Sequence, residues 1–266
     1  MDLDNYYRDH WIEIDTDRLA RYDELFRLDP ERAEKLLAPL ELAPGLRVLD
    51  FGCGPGHVAA QIARLIGESG VVYGVDINAD FVARARAVAA EYGYENRVTI
   101  HHASEERIPL NDRSVDRAFV KNVLEYVPDI DHTLGELARV LDVGGQLTAV
   151  DSDWGFVVVE PLSPAEVHEL FLAAAPAFRE PYVGRRLAGA FGRAGLSEVE
   201  VRVNAVVDRK GFLQTVLDNM LHYAESFGNI SSKRADDFRS RLAAARESGD
   251  YLFVLPQFTV VGRRAG

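Results

Sequence analysis

From residue 47 onward, short runs rich in β-branched residues alternate with stretches whose apolar residues recur at helical spacing. The apparent strands cover residues 47–51, 71–77, 97–103, 115–121 and 145–152, and the apparent helices between them cover residues 58–66, 79–92 and 132–141. Strands that alternate with helices in this way form a parallel sheet that helices cover on both faces. The sequence therefore predicts an α/β fold.

The later part of the chain extends this core. Residues 184–195 have the pattern of one more helix, and residues 199–206 and 251–264 have the pattern of strands. The helical stretch between those strands, residues 212–245, is too long for an ordinary connection, so we expect a helical insertion before the last strand. Together the segments predict a Rossmann-like sheet of seven mostly parallel strands, in which five are parallel and the final pair closes one edge.

Composition excludes several classes of partner. Among 266 residues, 42 acidic and 30 basic side chains give a net charge of -12, which would repel nucleic acid and an anionic membrane surface. No apolar run approaches the ~18 residues of a membrane span, and the acidic start differs from a signal peptide. A single cysteine, Cys53, fits a reducing compartment. We expect a cytoplasmic monomer or homodimer with no nucleic-acid partner and no stable membrane insertion.

A bare turn follows the first strand in the stretch VLDFGCGPG, residues 48–56. Gly52, Gly54 and Gly56 carry no side chain, so the backbone can turn sharply and approach a ligand. A dinucleotide fingerprint needs its third glycine where His57 stands, so a pyrophosphate site is disfavoured. The pattern favours a nucleoside joined to an amino acid. Asp50 could accept a hydrogen bond from the ammonium group of that amino acid.

An acidic residue ends the second strand in the stretch GVDIN. Asp76 follows Asp50 by 26 residues and lies where an acid grips both hydroxyls of a ribose, because its two oxygens accept two hydrogen bonds at once. The alternative is an ordinary solvated aspartate at a strand end. Together with the glycine turn, Asp76 predicts ribose binding at the carboxyl edge of the sheet.

These motifs resemble those of class I S-adenosylmethionine-dependent methyltransferases, in particular the small-molecule group that includes ubiquinone and menaquinone C-methyltransferases. The resemblance rests on VLDFGCGPG, GVDIN, HASEERIPLNDRSVD and NVLEYVPD, and it covers roughly residues 47–152. It implies S-adenosyl-L-methionine as cofactor and S-adenosyl-L-homocysteine as product. It is specific for the cofactor and says little about the methyl acceptor.

The resemblance also implies roles for individual residues. Where the family has an aspartate for the adenine amino group, this chain has serine, so Ser104 or its neighbour Glu105 is expected to make that contact. Tyr22 is expected either to fold over the cofactor or to pack in the core. The remaining implied contacts are Asp50, Gly52, Gly54 and Gly56 with the methionine part, Asp76 with the ribose, Ile77 with the adenine, and Lys121 and Asn122 with the methionine end.

The substrate side is less marked in the sequence. Trp154 could form a flat wall for an aromatic substrate or cap the core, Asp153 could orient a polar group, and Tyr7 and Tyr223 could line an apolar pocket. The catalytic residues stay unknown. His10 and His222 are the candidate bases, although an isolated histidine is more often packed or exposed without a catalytic role. No histidine pair has metal-ligand spacing, so no metal site is expected.

The chain is therefore predicted to be one methyltransferase domain for a small, fairly hydrophobic metabolite, with O-, N- or C-methylation left open. Two alternatives are a protein that binds S-adenosylmethionine without methyl transfer, such as a cyclase, and an NAD(P)-dependent oxidoreductase. The predicted parts are an N-terminal helical lid at 1–44, a cofactor-binding core at 45–152, a later core with a substrate loop at 153–208, a helical cap at 209–250 and the final strand at 251–266.

Overall fold

The computed structural model of this chain describes residues 4–103 and 107–266. Its strands are β1 (Arg47–Phe51), β2 (Val71–Asp76), β3 (Val98–His102), β4 (Val115–Lys121), β5 (Leu141–Ser152), β6 (Val158–Glu160), β7 (Leu196–Asp208) and β8 (Leu252–Arg264). Its α-helices are α1 (Tyr6–Ile12), α2 (Thr16–Leu25), α3 (Pro30–Leu37), α4 (His57–Ile66), α5 (Ala79–Glu91), α6 (Ile130–Val140), α7 (Pro164–Ala174), α8 (Val183–Arg193), α9 (Gln214–Ser226) and α10 (Ser232–Ser248).

All eight strands belong to one sheet. Strands β3, β2, β1, β4 and β5 lie side by side in that order and are parallel. Strand β8 runs antiparallel between β5 and β7, and the three-residue β6 pairs with the early part of β8. The order of the strands reverses between β1 and β4, so the carboxyl ends of these two strands border the crevice where such sheets bind ligands.

Helices cover the parallel strands on both faces, and neighbouring residues of β1 show why. Val48 points into a core with Ile62 of α4, whereas Leu49 points into the opposite core with Leu134 of α6. Successive side chains of a strand alternate between faces, so a strand buried on both sides needs a continuous apolar run. In β1, Val48 and Leu49 meet this need, and the next buried residue is the polar Asp50.

The N-terminal helices divide into two groups. Helix α3 packs against the core through Ala33 and Leu37, both fully buried, and Leu40 follows in the same apolar cluster. Helices α1 and α2 instead lie over the carboxyl end of the sheet, where Trp11 and Phe26 border an open cleft. Residues 1–44, predicted as a helical lid, therefore include two helices over the cleft and one helix that packs against the core.

The helical insertion between β7 and β8 is confirmed, and it consists of two helices, α9 and α10. They share a second apolar core with α7 and with Phe253 of β8. The largest contributions from the three helices come from Leu170, Phe171, Leu217, Leu221, Phe238 and Leu242. This layer extends the sheet beyond its parallel half and lies beside α1.

The predicted α/β fold with five parallel strands is confirmed, and three elements differ from the expectation. Helix α7 was not predicted because it is apolar around most of its surface and shows no helical periodicity. Strand β6 was not predicted because it has only three residues. Helix α1 was not predicted either, because its aromatic residues lie on several sides and form no apolar stripe along one face.

Among the helices in the described ranges, 4–103 and 107–266, none has the length and apolar character of a membrane span.

Gly56 offers a test of how closely α4 packs on α5. Its backbone has φ 86°, and a Cβ there would lie 2.7 Å from the Cβ of Ala85. Gly56→Ala is expected to lower the free energy of unfolding by roughly 2–4 kcal/mol, from the left-handed backbone and the clash together. Urea unfolding measures this change.

The matched control is Gly249→Ala, because Gly249, which ends α10, has φ 85° and ψ 6° against 86° and 7° at Gly56, and no heavy atom lies within 4 Å of an added Cβ. This variant should show only the backbone contribution, about 1 kcal/mol. Equal losses in the two variants would contradict a packing role for Gly56.

Candidate cofactor-binding cleft

An open cleft of about 930 Å³, mouth included, lies at the carboxyl ends of β1, β2 and β4. Its floor is the sheet edge and its roof is the pair α1 and α2. It is lined by Arg8, Trp11, Phe26, Phe51, Gly52, Gly54, Val75, Asp76, Ile77, Phe81, Ala103, Lys121, Asn122, Val123, Tyr126, Val127, Pro128 and Thr133. The cleft therefore brings together residues from five distant parts of the chain.

The glycine turn after β1 forms one wall. Gly52 and Gly54 have φ 71° and 51°, which favour glycine, and a Cβ on Gly52 would lie 2.2 Å from the side chain of Val123. The N–H groups of Gly52 and Cys53 donate to the carbonyl of Val75 at 2.8 and 3.1 Å, which ties the turn to β2. Val123 therefore fills the place that a side chain on Gly52 would need, while Gly54 presents its backbone to the cleft with the ring of Phe26 3.9 Å from the position of its missing Cβ.

Asp76 faces the same wall from the end of β2. One carboxylate oxygen accepts from the N–H of Gly54 at 2.8 Å, and the other accepts from the N–H of Asn78 at 2.9 Å. Burial raises the pKa of Asp76, and these backbone donors act in the opposite direction. Each oxygen keeps a further lone pair, so a held carboxylate can still accept from two ligand hydroxyls.

Asp50 lies behind the turn and does not line the cleft. Only 3% of it is exposed, and its Oδ2 has no hydrogen-bond partner among the described residues. Burial, and then the charge of Asp76, raise the pKa of Asp50 to about 7. A buried acceptor without a donor costs about 1–3 kcal/mol, so the sequence keeps this aspartate at a cost in stability.

The far end of the cleft is formed by the end of β4. Lys121 lines it and is otherwise enclosed, and burial lowers the pKa of its ammonium group, while the nearby charges of Asp151 and Glu125 oppose that effect. Asn122 follows with φ 53°, and its Oδ1 accepts from Nε2 of Gln257 at 3.1 Å. A polar end therefore completes a cleft that is otherwise mostly apolar.

The roof is attached to the cofactor side of the sheet. The side-chain amide of Asn78, the residue before α5, donates to the carbonyls of Trp11 and Ile12 at 2.8 and 3.1 Å. On α2, Asp23 accepts from Nε of Arg84 at 2.8 Å and contacts Nε2 of His57 at 2.9 Å. Both roof helices are thus hydrogen-bonded to elements that surround the glycine turn.

Besides Asp50, two residues predicted to touch the cofactor lie outside the lining of the cleft. Gly56 does not border the cleft, because its missing side chain is what lets α4 approach Ala85 of α5. Tyr22 is buried, and its ring stacks on that of Phe26 with centroids 5.5 Å apart, so Phe26 occupies the cleft instead. Ser104 and Glu105 lie outside the described residues.

The predicted substrate residues after β5 are also in other surroundings. The indole of Trp154 stacks on Phe171 in the second core, and its Nε1 donates to Glu125 at 2.6 Å. Asp153 is fully buried and accepts from Nε and Nη2 of Arg185 at 2.5 and 2.6 Å. Arg185 of α8 is therefore the ion-pair partner of a buried aspartate.

The remaining candidates lie on the roof and the insertion, outside the lining of the cleft. Tyr7 is buried, and the guanidinium of Arg179 lies over its ring at 5.7 Å. His10 and Tyr223 are buried together, with ring centroids 5.7 Å apart. His222 is exposed on α9, where it cannot act as a base in the cleft.

Sequence reasoning missed most of the apolar lining. Trp11 and Phe81 belong to helices and Phe26 directly follows one, and only the fold decides which of their residues faces a cleft. Tyr126 stands in the motif NVLEYVPD, which marked the segment without assigning the tyrosine a role. In the described part of the chain, no group of three or more His, Cys, Asp or Glu side chains is arranged to hold a metal ion.

Comparison with known proteins gives consistent matches. A family model described as a methyltransferase domain matches residues 42–180, more than half of the chain. Methyltransferase GfsG from Streptomyces halstedii is 32% identical over 151 residues, which are 57% of this chain and 52% of GfsG. The ubiquinone/menaquinone biosynthesis C-methyltransferase UbiE from Hahella chejuensis is 35% identical over 107 residues, 40% of this chain and 43% of UbiE. The chain spans about half the length of the curated relatives it matches.

Solved structures show the same fold at lower identity. Phosphoethanolamine N-methyltransferase 2 from Haemonchus contortus, solved in complex with S-adenosyl-L-methionine, matches with a TM-score of 0.66 at 18% identity. The match covers 98% of this chain and 60% of that chain. A likeness at this identity concerns the fold alone.

The buried Asp50 predicts a pH dependence of stability. In the unfolded chain an aspartate loses its proton near pH 4, whereas folded Asp50 keeps it until about pH 7. Between these values the folded state binds more protons than the unfolded state, so this group lowers the free energy of unfolding as the pH rises. Relative to wild type, Asp50→Asn should gain at least about 1 kcal/mol between pH 4 and pH 7.

Urea unfolding of both proteins across this pH range measures the difference. Asp80→Asn is the control, because Asp80 is exposed on α5, and its difference from wild type should stay constant. A constant difference for Asp50→Asn as well would mean that the carboxyl group of Asp50 has the same pKa in the folded and the unfolded protein.

Proposed function

The chain belongs to the methyltransferase-domain family, and from this premise we propose that it is an S-adenosylmethionine-dependent methyltransferase for a small, fairly hydrophobic metabolite. The observation that carries the proposal is the pairing of Asp76 with the bare turn at Gly52 and Gly54. A nucleoside without phosphates needs hydroxyl acceptors and close backbone approach, and this wall supplies both. Gly56 packs α4 against α5 and does not border the cleft.

The two ends of the cleft fit the two ends of the cofactor. Asp76 would accept from the ribose hydroxyls, and Ile77 and Phe81 offer apolar surface for the adenine. Asn122 and the backbone of Gly52 and Gly54 would border the methionine part, whereas Asp50 lies behind the turn, outside the lining of the cleft. Lys121 would hold the carboxylate at that end.

The chemistry requires little of the protein beyond alignment. S-adenosylmethionine supplies a methyl group on a positively charged sulfur, and its leaving group is a neutral thioether that needs no acid. The residues of the chain have to position the acceptor and exclude water. Trp11 and Phe26 of the roof and Tyr126 of the floor are suited to the second task, since they cover the cleft with apolar surface.

Ligand binding and product formation test the proposal separately. Titration calorimetry should give saturable binding of S-adenosylhomocysteine and no saturable binding of NADH. Binding of NADH alone would contradict the proposal. Conversion of S-adenosylmethionine to S-adenosylhomocysteine with an added acceptor, followed by mass spectrometry, would distinguish methyl transfer from a cyclase that only holds the cofactor.

Asp76 is the residue on which cofactor binding should depend most. Asp76→Ala removes two charge-assisted hydrogen bonds to the ribose, so the Kd for S-adenosylhomocysteine should rise by at least about 100-fold. Asp80→Ala is the matched control, since it removes an exposed aspartate four residues later and should leave the Kd unchanged. Calorimetry gives both values, and an unchanged Kd for Asp76→Ala would rule out the ribose assignment.

A further inference from the structure

Three polar atoms of the roof are buried and have no hydrogen-bond partner among the described residues. They are Nε2 of His10, Nε1 of Trp11 and Nη2 of Arg18, which we call the roof trio. Buried polar groups are nearly always paired, so three unpaired ones in neighbouring side chains call for an explanation. They are close together: the rings of His10 and Trp11 lie 5.2 Å apart, and the Arg18 guanidinium lies 4.8 Å from the Trp11 ring.

The protonation of His10 follows from its surroundings. Its Nδ1 contacts the carbonyl of Tyr6, which can only accept, so Nδ1 carries the proton and Nε2 presents a lone pair. Burial lowers the pKa of His10 to about 4, so the ring is neutral at pH 7. Only 8% of the residue is exposed, so Nε2 has little access to solvent. His10 therefore contributes one unpaired acceptor.

Arg18 contributes an unpaired donor. Its Nη1 donates to the carbonyl of His10, which turns Nη2 toward the aromatic side of the roof. Other half-buried arginines have a carboxylate partner, as Arg139 has Glu136 and Arg84 has Asp23. In the described ranges Arg18 has no carboxylate within ion-pair distance. Its guanidinium lies over the rings of Trp11 and Tyr22 instead.

The surroundings of the trio indicate the shape of what fits there. Trp11 also lines the cofactor cleft, so the trio lies at the edge of that cleft. Tyr6 stacks on His10 at 4.7 Å, and Tyr126 and Tyr223 meet it edge-on at 5.7 Å. Tyr126, like Trp11, lines the cleft, so an acceptor in the cleft would lie against these two rings with its polar group toward the trio, which suits a flat apolar molecule that carries one polar group.

The trio offers two donors and one acceptor, and this count selects the polar group. A hydroxyl presents the complement, one donor and two acceptor lone pairs. A carboxylate would leave Nε2 of His10 unpaired, and a primary amine would present more donors than the trio can accept. Resting on the proposed function, we propose that the roof trio binds the hydroxyl of a flat, aromatic methyl acceptor. The hydroxyl donates to His10 Nε2 and accepts from Trp11 Nε1 and Arg18 Nη2.

The test compares two probes that differ by one hydroxyl. With the protein saturated with S-adenosylhomocysteine, 2-naphthol should bind at least about tenfold more tightly than naphthalene, because a site built for a hydroxyl penalises an analogue without it. Titration calorimetry or quenching of tryptophan fluorescence gives both constants. Equal affinity for the two probes, or binding of neither, overturns the proposal.

Variants locate the effect. His10→Phe and Arg18→Met should each reduce the preference for 2-naphthol by about tenfold while leaving naphthalene binding in place. The controls are His222→Phe and Arg21→Met, which change exposed residues of the same types and should keep the wild-type preference. Preservation of the preference in both trio variants also overturns the proposal.

The proposed function and the trio can fail independently. Calorimetry with S-adenosylhomocysteine alone reports on the cofactor site. Failure of the wild-type protein to bind this ligand contradicts the proposed function. The preference between the two probes is also measurable without the cofactor product, so it tests the trio in either case. Thermal unfolding of each variant shows whether the fold is retained, and Arg18→Met provides the second measurement if His10→Phe is unstable.

Discussion

The carboxylate of Asp76 organises the cofactor edge of this protein. It accepts hydrogen bonds from the N–H of Gly54 in the turn after β1 and from the N–H of Asn78, the residue before α5. It therefore holds together two loops that follow different strands. That second residue, Asn78, also caps α5 by accepting from the N–H of Phe81 and donates to the end of α1. The glycine turn, helix α5 and the roof are therefore connected through the side chains of Asp76 and Asn78. Because backbone donors to a carboxylate are strong hydrogen bonds, this connection fixes the wall that a ribose would touch.

Periodicity made most of the sheet predictable. The parallel strands and their helices were placed to within a few residues, because a strand buried on both faces needs an apolar run that few other structures produce. The glycine turn and Asp76 were predictable for a similar reason, since their spacing reflects what a ligand requires of the backbone. Side-chain direction was less accessible. Gly56 fits the same motif as Gly52, yet only the packing of α4 on α5 reveals that it serves a helix contact.

The substrate side was harder to predict because several aromatic residues compete for few places. Trp154 and Asp153 follow β5 directly, which is where a crevice wall was expected, but a hydrogen bond to Glu125 and an ion pair with Arg185 hold them in the core. The residues that do face the cleft include Trp11 and Tyr126. Which member of an aromatic group is exposed depends on contacts between distant segments, and a single sequence does not contain that information.

The position of β8 affects the order in which this chain can assemble during synthesis. Strand β7 pairs only with β8 in the described residues, and β6 does so as well, yet β8 comprises residues 252–264 and is made after both. The segment from β1 to β5 with its helices therefore leaves the ribosome well before β8, the strand with which β6 and β7 pair. Until then the apolar face of the helical insertion lacks Phe253 and the rest of its support. The nascent chain carries a sheet with an open edge at β5 during this interval, and such edges are the surfaces that chaperones have to protect.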